Sequence, residues 1–129
     1  MTQGLLLIAH GARDPRWAEP FEAVAGRIRA RRRQAAVELA FLDFMTPDVP
    51  TAGARLTLAG CASVAVLPLF LGAGGHVRQD LPRLVDALAA RHPATRWRLA
   101  PAVGEIDAVV SAMADAALAL LEGEPSPAP

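Results

Sequence analysis

Residues 5–11 read Leu-Leu-Leu-Ile-Ala-His-Gly. The first five side chains of this stretch are continuously apolar instead of alternating between apolar and polar. That pattern is typical of a strand that is covered on both faces, as in a parallel sheet. A second run, Val-Ala-Val-Leu at 64–67, lies within a predicted strand over 61–70. The sequence therefore predicts an α/β domain around a buried parallel sheet.

The other elements follow from helical periodicity and from turn residues. We predict further strands over 36–44 and 95–100, and helices over 15–33, 51–59, from Asp80 onward, and 105–122. Asp80 is expected to cap its helix, with Pro82 in the first turn. The last helix carries apolar residues in register at Ile106, Val109, Val110, Met113, Ala117 and Leu120. The order β-α-β-α-β-α-β-α predicts a four-stranded parallel sheet with helices on both faces and a flavodoxin-like strand order 2-1-3-4.

Length and composition indicate one folded domain. The chain has 129 residues, of which 53% are hydrophobic, so intrinsic disorder is excluded for most of it. We expect a single domain over 1–122. The segment 123–129 holds three prolines and no large apolar side chain, and it is predicted to be a disordered tail.

Charge and cysteine content narrow the possible partners and the compartment. Thirteen basic residues balance thirteen acidic ones, so a broad basic footprint for nucleic acid is absent. Cys61 is the only cysteine, which excludes an internal disulfide and a multi-cysteine metal site, and a free thiol fits a reducing cytosol. The apolar run near the start is too short to span a membrane, and no Lys or Arg precedes it. We expect a cytoplasmic protein.

Three candidate ligands follow strands, where open parallel sheets bind their ligands. His10 ends the first predicted strand, Asp43 ends the second, and His76 lies in the loop after the third. With strand order 2-1-3-4 these side chains open onto one edge of the sheet. Two imidazoles and a carboxylate suit a divalent ion such as Fe²⁺, Co²⁺, Ni²⁺ or Zn²⁺, and an imidazole can also accept a proton near neutral pH.

Structural roles remain open for the same residues. A histidine at a strand end is often only hydrogen-bonded, and Asp43 could cap the following helix or brace its loop. His92 lies at a helix end, where a structural role is favoured because the helix dipole stabilises a cation.

A glycine-rich loop over 71–75 precedes His76. It matches no standard phosphate-binding motif, although its backbone N–H groups could hold a phosphate. Alternatively, Gly74 and Gly75 let a flat ligand approach the backbone closely, or they serve only the geometry of the loop. Arg13 and Arg78 flank the two histidine loops and could bind an acidic substrate, the alternative being solvated surface charge.

Two stretches together resemble the sirohydrochlorin chelatase family. They are Leu-Leu-Leu-Ile-Ala-His-Gly-Ala-Arg-Asp-Pro-Arg-Trp at 5–17 and Pro-Leu-Phe-Leu-Gly-Ala-Gly-Gly-His-Val-Arg-Gln-Asp-Leu-Pro at 68–82. Phe-Leu-Asp-Phe-Met-Thr-Pro at 41–47 is similar to the family's second-strand region, though less tightly. The resemblance covers about 4–122 and is to the small, single-domain CbiX type.

The resemblance implies a type II chelatase fold and ATP-independent insertion of Co²⁺ or Fe²⁺ into sirohydrochlorin, within cobalamin or sirohaem biosynthesis. Some relatives use Ni²⁺. It implies that His10 and His76 bind the metal and act in catalysis, that Asp43 assists, and that no cofactor is permanently bound. Longer relatives carry two such domains in tandem, so a homodimer with the site between subunits is implied. Two positions depart from the family pattern, because Ala12 stands where Ser is common and Asp43 where Glu is familiar.

Two other functions are consistent with the same residues. A non-catalytic carrier of metal or tetrapyrrole would use the same side chains, and only turnover separates it from a chelatase. Ala-His-Gly at 9–11 also resembles the Arg-His-Gly opening of histidine phosphatases. In this chain Ala9 replaces the arginine that would hold phosphate, which argues against a hydrolase.

Overall fold

A computed structural model describes residues 2–72 and 74–122 of the chain. The strands are β1 (Thr2–Ala9), β2 (Ala36–Phe41), β3 (Cys61–Pro68) and β4 (Arg96–Leu99). The helices are α1 (Glu19–Arg31), α2 (Val49–Leu58), α3 (Gly75–Arg91) and α4 (Asp107–Glu122), with short 3-10 turns at Pro15–Ala18 and Val103–Glu105. The segment 123–129, predicted to be a tail, lies outside the described residues.

The four strands form one parallel sheet in the order β2-β1-β3-β4, which confirms the predicted topology. Leu7 of β1 lies opposite Leu39 of β2 and Leu67 of β3, so these three side chains share a face. α1 packs on this face, over β1 and β2. α2 and α3 cover the opposite face, where the larger core forms. The carboxyl ends of all four strands therefore meet at one edge, which we call the carboxyl edge.

The α1 face is covered over only half of its width. Along β3, Ser63 is exposed and Ala65 and Leu67 are only partly buried, whereas Val64, Val66 and Pro68, which alternate with them, are buried. α4 does not cover this half, because its main packing contact is with the 3-10 turn that precedes it, and none of its residues is buried. No helix within 2–72 and 74–122, including the apolar α4, is long and apolar enough to cross a membrane.

The N-cap of α3 lies six residues earlier than predicted, so the assignment of Asp80 to that position is wrong. Gly74 is the N-cap, and its carbonyl accepts the first helical hydrogen bond from the Arg78 N–H at 3.0 Å. Pro82 consequently lies inside the helix, where its ring removes one backbone donor. The apolar periodicity begins only at Leu81, because the preceding helical turns are mostly polar and face solvent. Those first turns were therefore not predicted as helix. His76 therefore belongs to the first turn of α3 and not to a loop.

β2 ends at Phe41 instead of residue 44, because the backbone turns sharply there. Phe44 has a positive φ of 67°, and the Thr46–Pro47 peptide bond is cis. α2 then starts after Asp48, whose Oδ1 accepts a hydrogen bond from the Thr51 N–H at 2.9 Å. Asp48 therefore has the capping role that was considered for Asp43. Hydrogen bonding from Thr51, from its side chain first and also from its backbone N–H, holds the pKa of Asp48 below its ordinary value.

We expect Asp48→Ala to lower the melting temperature at pH 7, because it leaves the first N–H groups of α2 without their acceptor. Asp48→Asn keeps that acceptor and is expected to retain most of the stability. Folding lowers the pKa of Asp48, so its charge stabilises the folded state. This stabilisation is present above the ordinary aspartate pKa and is lost as the pH falls through the lowered value. Thermal unfolding at pH 7 and pH 3 checks this, and an Ala variant as stable as the wild type at pH 7 would contradict it.

Candidate functional site

His10 stands at the carboxyl edge, directly after β1. Its ring stacks on Phe70, with the ring centroids 4.0 Å apart and the planes 21° from parallel. Phe70 is buried whereas His10 is exposed to solvent. The buried ring therefore supports one face of the imidazole and fixes its plane, and the imidazole remains accessible to a ligand.

The backbone ties the Asp43 loop to His10. The Asp43 N–H donates to the His10 carbonyl at 2.9 Å, and the Leu42 N–H donates to the Ala9 carbonyl at 3.0 Å. The approach requires glycine at position 11, where φ is +95° and a Cβ would overlap the Asp43 carbonyl oxygen. The first two predicted ligands are thus held side by side in the backbone.

A cleft of about 460 Å³ opens beside these two residues. Its lining combines the loops of the carboxyl edge with one side of α3, namely His10, Leu42, Asp43, Val77, Asp80, Leu81, Arg83 and Leu84. The volume is within the usual range for small-molecule sites. Four of these side chains are aliphatic and four are polar or charged, so the cleft suits a ligand that carries both apolar and polar groups.

His76 lies in the first turn of α3 and is exposed. It does not line the cleft, although its neighbour Val77 does. Within 2–72 and 74–122, no three His, Cys, Asp or Glu side chains come close enough together to hold a metal ion. Any metal held at His10 or His76 would therefore complete its coordination with water, substrate or groups from another copy of the chain.

Arg13 lies in the loop after β1, and Arg78 lies in the first turns of α3. The Arg13 guanidinium lies 4.9 Å from the centroid of the Phe44 ring. Arg78 Nη2 lies 3.7 Å from Glu105 Oε2, which links α3 to the turn before α4. Both arginines are exposed, so binding an anionic substrate would cost little desolvation.

Gly74 and Gly75 lie where the backbone is open. A Cβ built on either glycine would meet nothing within 4 Å, so packing inside the described domain does not demand glycine there. Both residues are exposed at the start of α3. Their role as a surface for a flat ligand stays a prediction.

Phe70, Gly11 and Gly104 were not predicted from the sequence to shape the site. Gly104 approaches Leu71 so closely that a Cβ would overlap the Leu71 carbonyl oxygen, and its N–H donates to the Phe70 carbonyl at 2.9 Å. Phe70 and Gly11 both lie within the quoted motif stretches, yet neither has a side chain that suggests chemistry. Only the fold shows that they position the two loops.

Phe70→Leu is expected to weaken binding of Co²⁺ to the protein by up to about 10-fold, because it keeps an apolar side chain but removes the ring under His10. Isothermal titration with Co²⁺ measures the affinity, and urea unfolding separates this effect from lost stability. Unchanged Co²⁺ affinity in the folded variant would show that the stacking does not position His10.

Comparison with known proteins decides the family. The family model described as CbiX matches residues 4–119. The chain belongs to the CbiX family. A sirohydrochlorin cobaltochelatase of Methanocaldococcus jannaschii is 30% identical over 90 residues, which are 70% of this chain and 63% of that protein. A sirohydrochlorin ferrochelatase of Bacillus subtilis is 26% identical over 113 residues, which are 88% of this chain and 43% of that protein.

Solved structures of the family share the fold. A CbiX protein of Marinobacter aquaeolei superposes with a TM-score of 0.80 at 33% identity, covering 93% of this chain and 98% of that chain. The sirohydrochlorin chelatase SirB of Bacillus subtilis subspecies spizizenii, in complex with cobalt, gives a TM-score of 0.78 at 25% identity, covering 93% of this chain and 51% of that chain.

These likenesses confirm the family and the α/β chelatase fold predicted from the sequence. They favour neither the carrier nor the phosphatase, because the relatives are named as chelatases of both the cobalt and the iron type. The chain spans 63% of the Methanocaldococcus protein and 43% of the Bacillus protein. The activity of those longer proteins is therefore carried to this chain as a proposal.

Proposed function

We propose that this protein inserts a divalent metal ion into sirohydrochlorin without hydrolysing a nucleotide. The observation that carries the proposal is the exposed His10 imidazole, supported by Phe70 and bordering the cleft at the carboxyl edge of a CbiX domain. The metal, Co²⁺ or Fe²⁺ and in some settings Ni²⁺, is a substrate of the reaction, and no permanent cofactor is proposed.

Histidine chemistry fits the two requirements of the reaction. The ring must lose two pyrrole protons, and the metal must pass from protein ligands to the ring nitrogens. A neutral imidazole binds Co²⁺ or Fe²⁺ without saturating the ion's coordination, which leaves positions for the incoming macrocycle. An imidazole that is not bound to metal accepts a proton near neutral pH. We assign metal binding and proton acceptance to His10 and His76, with Asp43 as a helper beside His10.

The remaining predicted residues fit the substrate. Sirohydrochlorin carries acetate and propionate arms, and the exposed guanidinium groups of Arg13 and Arg78 suit those carboxylates. Arg78 would then share its charge between the substrate and Glu105. The open backbone at Gly74 and Gly75 admits a flat ring edge at the start of α3.

We further propose a homodimer whose active site lies between the subunits. One copy offers a cleft of about 460 Å³, open to solvent, and its described residues hold no complete set of metal ligands. A second copy facing the carboxyl edge would enclose a wide macrocycle and supply further imidazoles. A cytoplasmic location remains our expectation from the single free cysteine.

Product counting under anaerobic conditions tests the activity. Purified protein is mixed with a large excess of metal-free sirohydrochlorin and with either Co²⁺ or Fe²⁺, and absorbance follows the metallated ring against a protein-free control. We expect many product molecules per protein chain, and the relative rates rank the two metals and so the cobalamin and sirohaem pathways.

The same experiment separates the alternatives. A carrier would yield at most one metallated ring per site, and that result would overturn the proposed catalysis. A phosphatase would release phosphate from a generic phosphomonoester without added metal, in a reaction abolished by His10→Ala, and that result would move the function to hydrolysis.

A further inference from the structure

Phe44 is the one phenylalanine of the chain whose side chain lies mostly in water. It is 66% exposed, whereas Phe41 and Phe70 are buried and Phe21 is partly buried. A single exposed apolar side chain is common on a protein surface and carries no inference by itself. The backbone makes this residue unusual, because the φ of Phe44 is positive, at 67°. A bulky side chain rarely adopts that left-handed conformation.

A tight turn imposes this conformation. The Met45 N–H donates to the Asp43 carbonyl at 2.8 Å, which closes a γ-turn with Phe44 at its centre. With a positive φ at the central residue, this is the strained form of the turn. Both ends are anchored, since the Asp43 N–H donates to the His10 carbonyl at 2.9 Å and the partly buried Met45 packs against the core beneath α1. The surrounding structure therefore fixes a backbone that glycine or asparagine would adopt with less strain.

The turn stands beside the candidate site. Asp43, which directly precedes Phe44, lines the cleft together with His10. Phe44 does not line the cleft, so its exposed ring belongs to the surface next to it. Strained residues cluster at ligand-binding sites, where the surrounding fold maintains the strain. A strained and exposed aromatic residue at this place therefore indicates contact with a ligand instead of a role in the core.

Arg13 lies over one face of the Phe44 ring. Its guanidinium carbon is 4.9 Å from the ring centroid, which is a cation–π distance. Stacking restricts the orientations of the guanidinium, so less freedom is lost when it binds a carboxylate. Both side chains are exposed, so a ligand can reach the ring and the guanidinium together. We call this pair the Phe44–Arg13 rim, and it offers an apolar surface and a planar donor side by side.

We propose that Phe44 is a substrate-binding residue, whose ring contacts the flat conjugated macrocycle while Arg13 binds a carboxylate arm of the same molecule. This inference rests on the proposed function and extends it from the metal to the ring. Arg13 lies three residues after His10 in the chain, and Phe44 directly follows Asp43. A macrocycle centred on a metal at His10 therefore extends sideways to the Phe44–Arg13 rim. The rim selects for a ligand with an apolar ring and an acidic margin.

Binding of metal-free sirohydrochlorin gives the first test. The compound is titrated with the full chain in the absence of metal, and its fluorescence reports binding. Phe44→Asn is expected to raise the dissociation constant by about 10-fold, because it removes the aromatic contact. Phe44→Tyr keeps the ring and should bind within a few fold of the wild type. Leu58→Asn is the matched control, because Leu58 is 87% exposed at the far end of α2 and should leave binding unchanged.

Kinetics separate the macrocycle from the metal. Phe44→Asn should raise the KM for sirohydrochlorin by about the same factor of 10, since the lost contact is one of ground-state binding. Its affinity for Co²⁺, measured by isothermal titration without the macrocycle, should stay that of the wild type, because His10 keeps its support from Phe70. Arg13→Gln combined with Phe44→Asn should weaken macrocycle binding by less than the product of the two single effects, because the two side chains depend on each other.

Stability distinguishes a ligand contact from a structural one. Asparagine tolerates a positive φ better than phenylalanine does, and little packing is lost with a side chain that is 66% exposed. The urea midpoint of Phe44→Asn should therefore equal or exceed that of the wild type. A clearly lower midpoint would show that the ring stabilises the fold, and it would overturn the assignment.

The other outcomes are equally decisive. Unchanged macrocycle binding and KM in Phe44→Asn, with metal insertion intact, would overturn this inference and leave the proposed function standing. Wild-type protein that neither bound nor metallated sirohydrochlorin would overturn both. Weaker Co²⁺ binding by Phe44→Asn would place the effect at the metal, and a change of oligomeric state in sedimentation equilibrium would place Phe44 in a contact between copies. Either result would contradict the proposed contact with the macrocycle.

Discussion

Replacing His10 or His76 by alanine is expected to slow metal insertion by at least about 100-fold, which is the usual contribution of a proton-transferring or ligand histidine. Both side chains are exposed, so neither substitution removes core packing. The loss should therefore appear in the rate and in metal affinity while the urea midpoint stays near that of the wild type. Initial rates with sirohydrochlorin and Co²⁺ under anaerobic conditions measure it.

The third histidine is the control. His92 ends α3, where its backbone carbonyl accepts a hydrogen bond from Trp97 Nε1 at 3.3 Å. His92→Gln keeps that backbone contact and should leave the rate within a few fold of the wild type. Near-normal turnover in a folded His10→Ala or His76→Ala variant would remove that histidine from the mechanism.

Gly11→Ala is expected to cost about 3 kcal/mol or more of unfolding free energy. The backbone at this position has φ +95°, which disfavours any side chain, and a Cβ would overlap the Asp43 carbonyl oxygen. Relief requires that the Asp43 loop move away from His10, so activity should fall together with stability. Urea unfolding followed by circular dichroism measures the free energy.

A second glycine shows whether the effect is specific. Gly26 lies within α1, is exposed, and has nothing within 4 Å of a built Cβ. Gly26→Ala should therefore be neutral or stabilising by up to about 1 kcal/mol, since alanine favours a helix interior. If both alanine variants unfolded at the same urea concentration, the close approach of the two loops would not be a constraint on the fold.

The sheet could be predicted from the sequence because its strands are buried on both faces. A continuous apolar run as short as residues 5–9 fits few elements other than a buried strand. The alternation of strands and helices then restricts the topology to a small number of right-handed arrangements. The start of α3 could not be predicted in the same way. Its first turns face solvent, so apolar periodicity gave no signal before Leu81, and the N-cap is a glycine without a capping side chain.

The surface that α4 packs against could not be predicted from the sequence pattern either. Periodicity predicts that Val109, Val110 and Met113 share a side of a helix, but it does not identify the surface that this side covers. In the structure none of the residues of α4 is buried.

The site could be predicted in part. His10 and Asp43 were placed together because parallel strands end at a common edge, and the hydrogen bond between their backbones agrees with that placement. Phe70 positions His10 by ring stacking, and Gly11 permits the close approach of the Asp43 loop. Neither effect can be recognised from the type of residue alone. The ligand roles of His10, His76 and Asp43 stay predictions, since no three such residues meet within 2–72 and 74–122 of one copy.

We propose that His10 and His76 hold the metal before it enters the ring. X-ray absorption at the cobalt edge, on Co²⁺-loaded protein under anaerobic conditions without tetrapyrrole, tests it directly. We predict imidazole scattering from the bound Co²⁺ that diminishes in His10→Ala and in His76→Ala and persists in His92→Gln. Cobalt bound with the same imidazole signal in all three variants would contradict the claim.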